Sequence, residues 1–174
     1  PEINQNILQV EIRRDLYMHE ESREKKERFD KIQQDCGENI HPIIMDVTDQ
    51  QSIVEAKSIV ESNLKNKKLD VLINNAGIGL GGPIKYIDTD IFRKQFEVNL
   101  FGVVSVTRIF LELLGANEEN SHAGKIIMIS SVSGKRAYPF TSPYTASKHA
   151  LEGYSDSIRK ELMLYGIDVI LVQP

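Results

Sequence analysis

The sequence predicts an α/β fold in which helices are doubly wound on a parallel sheet, and a few observations carry that reading. From Ile40 onward, short apolar runs alternate with long amphipathic stretches. The runs are continuously apolar, as strands buried on both faces require. Two of them end in polar pairs, Asn74-Asn75 and Ser130-Ser131, where an open parallel sheet places its ligand crevice.

Ile43-Ile44-Met45 reads as the first clear buried strand, ending at Asp46. Val71-Leu72-Ile73 is the second, Ile126–Ile129 the third and Val169–Val172 the fourth. Between them, Gln50–Leu64 puts Ile53, Ala56, Val60 and Leu64 on one stripe, with Thr48 or Asp49 as N-cap. Asp88–Leu114 is a long helix capped by Thr89 or Asp90, with Phe92, Phe96, Leu100, Val103, Val104, Thr107 and Leu111 at helical spacing. Ser142–Tyr165 carries Pro143 in its first turn, and Gly166 stands where a left-handed C-cap belongs.

The chain divides into a segment 1–39 that fits this pattern poorly and a unit 40–174 that fits it well. In the first, Ile7–Ile12 is a candidate strand, Ser22–Gln34 a charged helix and Glu20–Arg28 a mixed-charge, solvated run. A length of 174 residues suits one domain, and 41% apolar with 26% charged residues is ordinary globular composition. A net charge of −4 supplies no basic field for nucleic acid or an anionic membrane. No apolar run reaches the roughly 18 residues of a bilayer span, and residues 2–16 do not form a signal peptide. The lone Cys36 makes no internal disulfide, and His19, His41, His122 and His149 show no metal spacing. A cytoplasmic, metal-free protein is expected.

The chemistry concentrates at Tyr144-Thr-Ala-Ser-Lys148. Residues four apart stack on one helix face, so a lysine ammonium stands beside a phenol and favours the phenolate. A phenol whose pKa is drawn from about 10 toward ambient pH serves as a general acid/base for an alcohol or carbonyl. The pairing alone is weak, because a surface lysine near a half-buried tyrosine is common. Ser131, at the end of the third strand, can reach the same crevice and hydrogen-bond a substrate oxygen, although a capping serine is its plainer reading. Asn75-Ala76-Gly77 allows close backbone approach to a flat ligand. Asn99, an amide among Phe96, Val98, Leu100 and Phe101, must find partners.

Asn74-Asn75-Ala76-Gly77, Asn99, Ser131 and Tyr144-x-x-x-Lys148, in this order and spacing, resemble the short-chain dehydrogenase/reductase family. Asp46-Val47-Thr48-Asp49, Ser130-Ser131-Val132-Ser133-Gly134 and Gln173-Pro174 fit the same pattern. The resemblance implies a Rossmann-like domain and an oxidoreductase that transfers a hydride between NAD(P) and a secondary alcohol or carbonyl. It implies Tyr144 as acid/base and Lys148 as the group that lowers its pKa and binds the nicotinamide ribose. Ser131 would polarise the carbonyl, and Asn99 would hold a water that relays protons from Lys148. Asn75, Ala76 and Gly77 would border the cofactor, with Asp46 and Val47 at the adenine. The expected partners are a small alcohol or ketone and, through faces of the two long helices, further copies of the chain as a dimer or tetramer. A non-catalytic nucleotide-binding relative is one alternative. An epimerase or dehydratase of the family's extended branch is another.

Two departures stand out. Gly77-x-Gly79-x-x-Gly82 satisfies the dinucleotide fingerprint but opens no helix, so it reads as a loop beside the active site. Residues 1–36 contain no glycine, so neither the family's first strand nor its phosphate-binding turn is recognisable. The sequence therefore reads as an incomplete sheet from a longer polypeptide, with Ile7–Ile12 as a substitute strand in the competing view. Arg13-Arg14 and Ser22-Arg23 tilt the cofactor reading toward NADP.

Overall fold

A computed structural model of the chain describes residues 41–64, 68–116 and 123–174 in full, together with the backbone of 7–10. The expected helix at Ser22–Gln34, the arginine pairs and Cys36 lie outside the described residues. Four parallel strands stand side by side in chain order: β1 (Ile7–Val10), β2 (Val71–Asn74), β3 (Lys125–Ile129) and β4 (Asp168–Val172). The register aligns Ile7 with Val71, Val71 with Lys125, and Lys125 with Asp168, so the carboxyl ends form one edge.

The place beside β2 that the sequence left empty is thus taken by β1, which corrects the reading of an unfilled place in favour of the competing one, a substitute strand at Ile7–Ile12. Ile7 and Val10 give this segment the β propensity it needs, and pairing along β2 satisfies its backbone groups. The opposite correction applies to Ile43-Ile44-Met45. These residues form no strand, and Ile44 is 59% exposed. A strand requires a hydrogen-bonded neighbour, and an apolar triplet cannot supply one.

Helix α1 spans Gln50–Asn63, capped by the Asp49 carboxylate on the Gln51 amide. Ile53, Ala56 and Val60 are its buried stripe, as expected, and Leu64 closes its end. The long helix is three pieces: α2 (Thr89–Phe96), a π-helical stretch (Glu97–Gly102) and α3 (Val103–Phe110). Its N-cap is Asp88, not Thr89 or Asp90, with the Asp88 carboxylate accepting from the Asp90 amide. The buried face is also rotated from the expected stripe. It keeps the expected Val103 and Thr107, adds Gln95, Asn99, Val106 and Phe110, and leaves Phe92, Phe96 and Leu100 only partly buried. Two amides occupy the inner face because they have backbone partners there, described below.

Helix α4 (Ser142–Leu162) begins with Pro143 in its first turn. It passes through a short 3₁₀ turn and stops at Gly166, whose φ of 70° is the left-handed cap read from the sequence. On the sheet, Leu72, Asn74, Ile126, Met128 and Val169 are buried. Asn74 Nδ2 donates to Thr107 Oγ1 on α3 at 3.0 Å, which identifies that face as the one the helices cover. Complete burial of both faces is not met: Ile170 and Val172 on β4 are 41% and 40% exposed. Among the described residues β4 is the last strand of the sheet, so it lacks a second neighbour.

Candidate active site

The site lies at the carboxyl edge of β2 and β3, where α4 begins. Lys148 is almost fully buried, and its Nζ donates to the Ile129 carbonyl at 2.8 Å, at the last residue of β3. The same ammonium is 5.8 Å from the centroid of the Tyr144 ring. One lysine therefore joins the strand end that carries Ser131 to the helix face that carries Tyr144. Burial pulls its pKa down from 10.5 to about 8, against an opposing pull from the Glu152 carboxylate.

Ser131 is buried and extends into a 3₁₀ turn, Val132–Gly134, with its Oγ accepting from the Ser133 amide at 3.2 Å. The capping reading of this serine is therefore correct. Its hydroxyl proton remains available, because the turn uses only an acceptor lone pair.

The loop 77–82 forms the other wall. Gly77 and Gly79 are exposed, and a β-carbon at Gly77 would lie 3.5 Å from Asn99 Oδ1 and 3.7 Å from Lys148 Nζ. At Gly79 the neighbour is Tyr144 Cδ2, 3.9 Å away. These glycines let the backbone run alongside the catalytic candidates. Every second amide of the loop is already engaged, and the loop does not open a helix, so it lacks the setting of a phosphate cradle. Ile78 N donates to Asn99 Oδ1 at 2.8 Å, Leu80 N to Gln95 Oε1 at 2.7 Å and Gly82 N to the Phe140 carbonyl at 2.7 Å. The fingerprint match is a coincidence of spacing, as its context suggested.

Asn99 also donates from Nδ2 to the Ile78 carbonyl at 2.9 Å and to Ser147 Oγ at 3.1 Å. It binds the backbone of residue 78 as a neighbouring strand would, and it has no direct bond to Lys148. The π-helical widening around it gives the amide room to face the loop. Gln95, one turn earlier and fully buried, donates from Nε2 to the same Ile78 carbonyl. The sequence reading missed Gln95, although a second amide four residues before Asn99 was a legible sign.

Other expected residues fall elsewhere. Val47 and Ala76 have their side chains in the hydrophobic core, so only their backbones can border a ligand. Val47 packs against Gly102 on the π-helical stretch, where a β-carbon would lie 2.9 Å from it. Asp46 Oδ1 accepts from the amide and hydroxyl of Thr48 at 2.8 and 2.7 Å, an internal turn bond. Asn75 is half-buried next to Gly77. Asn74 is a structural tie: besides Thr107, its Nδ2 approaches Met128 Sδ at 3.4 Å. His149 is an exposed residue whose ring binds the Thr145 carbonyl. No group of three or more metal-ligating side chains occurs among the described residues. Nor is any helix there long and apolar enough to cross a membrane.

A parallel sheet thus carries a buried lysine beside a tyrosine at its carboxyl edge, the arrangement that the Tyr144–Lys148 spacing led one to expect. The comparisons agree: the profile of the short chain dehydrogenase family matches residues 12–174, and the chain belongs to that family. It is 39% identical over 150 residues to the NADPH-dependent 3-dehydrocapnine reductase of Ornithobacterium rhinotracheale, covering 86% of this chain and 53% of that protein. It is 44% identical over 139 residues to the uncharacterized oxidoreductase YusZ of Bacillus subtilis, covering 79% and 47%. Among solved structures, ElxO with NADP bound superposes with a TM-score of 0.76 at 29% identity, covering 87% of this chain and 59% of that one. The chain spans about half the length of the curated relatives it matches.

The nicotinamide end of the family's cofactor suits the residues present. Gly77 is exposed and brings bare backbone within reach of one buried ammonium and one amide oxygen. The segment after β1, where the family holds pyrophosphate, has no glycine before Gly37 and lies outside the described residues.

Proposed function

We propose that this chain carries the catalytic core of an oxidoreductase acting on a secondary alcohol or its ketone, with NADP(H) as the preferred dinucleotide. The observation that carries the proposal is the buried Lys148 ammonium, bonded to Ile129 at the strand end and set beside the Tyr144 ring.

In the reducing direction Tyr144 Oη gives its proton to the substrate oxygen as the carbonyl carbon becomes tetrahedral. The hydride comes from the dinucleotide, whose chemistry the protein positions but does not supply. The Ser131 hydroxyl donates to the same oxygen and stabilises its developing charge. Lys148 steadies the phenolate that remains and binds the ribose hydroxyls through its other ammonium protons. Asn99 fixes Ile78 and hence the loop wall at Gly77, so its contribution is to hold the crevice at its working width.

The NADP preference rests on the NADPH-dependent relative and on the NADP in the related structure. A second copy pairing through the helical faces belongs to the same reading, and Phe101, 52% exposed on the π-helical stretch, is available for such a contact.

The test is Tyr144→Phe, assayed by NADPH oxidation with a panel of ketones. A loss of at least about 10²-fold in kcat is expected from losing the acid/base, with an unchanged circular dichroism spectrum. Activity near wild type in that variant would refute the assignment.

A further inference from the structure

Glu152 is a buried carboxylate to which the reaction above gives no task. It lies on α4 one turn after Lys148, as Lys148 lies one turn after Tyr144. Three elements meet on it. From the end of β4, Gln173 Nε2 reaches both carboxylate oxygens, at 2.7 and 2.8 Å. From the turn after Ser131, the Lys135 ammonium approaches to 3.0 Å. From the end of β3, the Ser130 hydroxyl is near enough to act on the charge but falls short of an aligned hydrogen bond. Gly134 is packed into this cluster, where a β-carbon would lie 2.7 Å from Ser130 Oγ and 2.8 Å from Glu152 Oε1.

We propose that Glu152 is a positioning residue of the catalytic apparatus: it fastens the Ser131 turn to α4 and β4, and it sets a negative charge one helical turn beyond the Lys148 ammonium. The inference rests on the catalytic reading of Ser131 and Lys148. The geometry explains why a carboxylate serves here. The turn offers a cation and a hydroxyl, and the β4 end offers an amide that donates to both oxygens. A neutral side chain of this size could not satisfy all of them. Lys148, on the same helix face, is the other cation whose charge Glu152 supports, while burial opposes it. Lys135 is 58% exposed and shares its charge with solvent, whereas Lys148 is almost fully buried.

The experiment is to follow the Lys148 ammonium by NMR in protein with ¹³C-labelled lysine, assigned through Lys148→Arg. Wild type, Glu152→Gln and Glu152→Asp are compared, and amide exchange is read at Gly134 and Lys135. In Glu152→Gln the Lys148 midpoint should fall below its wild-type position near 8, and both amides should exchange faster. In Glu152→Asp the midpoint should return toward wild type while the amides stay fast, because the charge is kept but the reach to Gln173 is lost. A Glu152→Gln protein that is less stable yet keeps the wild-type Lys148 midpoint would overturn the proposal and leave Glu152 a structural group only. Should Glu152→Gln not fold, Lys135→Met, altered at an exposed side chain, reads the turn by itself; unchanged exchange at Gly134 there would equally count against it. None of these readings uses turnover, so an inactive chain would defeat the catalytic assignment without obscuring this one.

Discussion

The loop 77–82 and the turn 130–135 flank the same end of α4, and each is held in place by side chains from a neighbouring helix. The means differ. The loop is held by two neutral amides, Gln95 and Asn99, which take up the backbone groups of Ile78 and Leu80. The turn is held by one buried carboxylate, Glu152, and its cationic and polar partners. Amides bond the same way across the whole working pH range, whereas a carboxylate network is a titratable fastening. One wall of the crevice is thus indifferent to pH and the other is coupled to it.

The sharpest way to break the loop wall is Gly81→Ala. A β-carbon there would collide with the Phe140 carbonyl. That carbonyl belongs to a residue already strained at φ 66°, and it accepts the Gly82 amide. A loss of about 2–3 kcal/mol in urea unfolding is expected. Gly79→Ala, with only an ordinary contact at 3.9 Å, should stay within about 0.5 kcal/mol.

Gln95→Leu comes next. It leaves the Leu80 amide without its acceptor in a buried setting and should cost about 2 kcal/mol. The cost should be equal at pH 5 and pH 8. A clear pH dependence would contradict the neutral character of this wall.

Lys148→Met should act in the opposite direction on stability. The folded-state pKa of about 8 lies below the ordinary 10.5, so folding disfavours the charged lysine wherever the unfolded chain would carry it. That cost is full below about 8 and disappears as pH rises toward 10.5. The methionine variant should therefore be more stable than wild type at pH 7, by an amount of order 1 kcal/mol after losing the bond to Ile129. The gain should fade between those two pH values. A destabilised variant at pH 7 would show that the ammonium is better compensated than its burial implies.

Lys135→Ala should cost under about 1 kcal/mol, because the Lys135 end of the ion pair is 58% exposed. The Glu152 carboxyl is raised by burial but lowered more by Ser130, Gln173 and Lys135, leaving it below the usual carboxylate value. Its stabilising contribution is therefore present above the ordinary carboxylate pKa and lost as pH falls through the depressed one. Lys135→Ala should move that acid limb slightly upward in a thermal-melt series. An unmoved limb would detach Lys135 from the network.

Much of this was legible in the sequence where the signal is local. The Tyr144–Lys148 spacing, the Gly166 cap, Pro143 and the apolar cores of β2, β3 and β4 each depend on a few adjacent residues and a fixed period. The strand at Ile7–Val10 was legible only as a candidate and the coil at Ile43–Met45 was not, because whether an apolar run becomes a strand is decided by the strand beside it. Gln95 and Glu152 were passed over for a related reason. A buried polar residue looks like an error in an amphipathic pattern until its partners are known, and those partners are 15 and 21 residues away, at Leu80 and Gln173.

The sequence by itself determined the family and the residues available for its chemistry, because motif order and helix periodicity are properties of the chain. Only the tertiary structure decided how those residues are used. It turned a fingerprint-like glycine loop into a wall for Lys148 and Tyr144, gave Asn99 to the backbone of Ile78, and enclosed Glu152 between three elements. Burial and hydrogen-bond partnership depend on segments far apart in the chain, and no local pattern records which of them will meet.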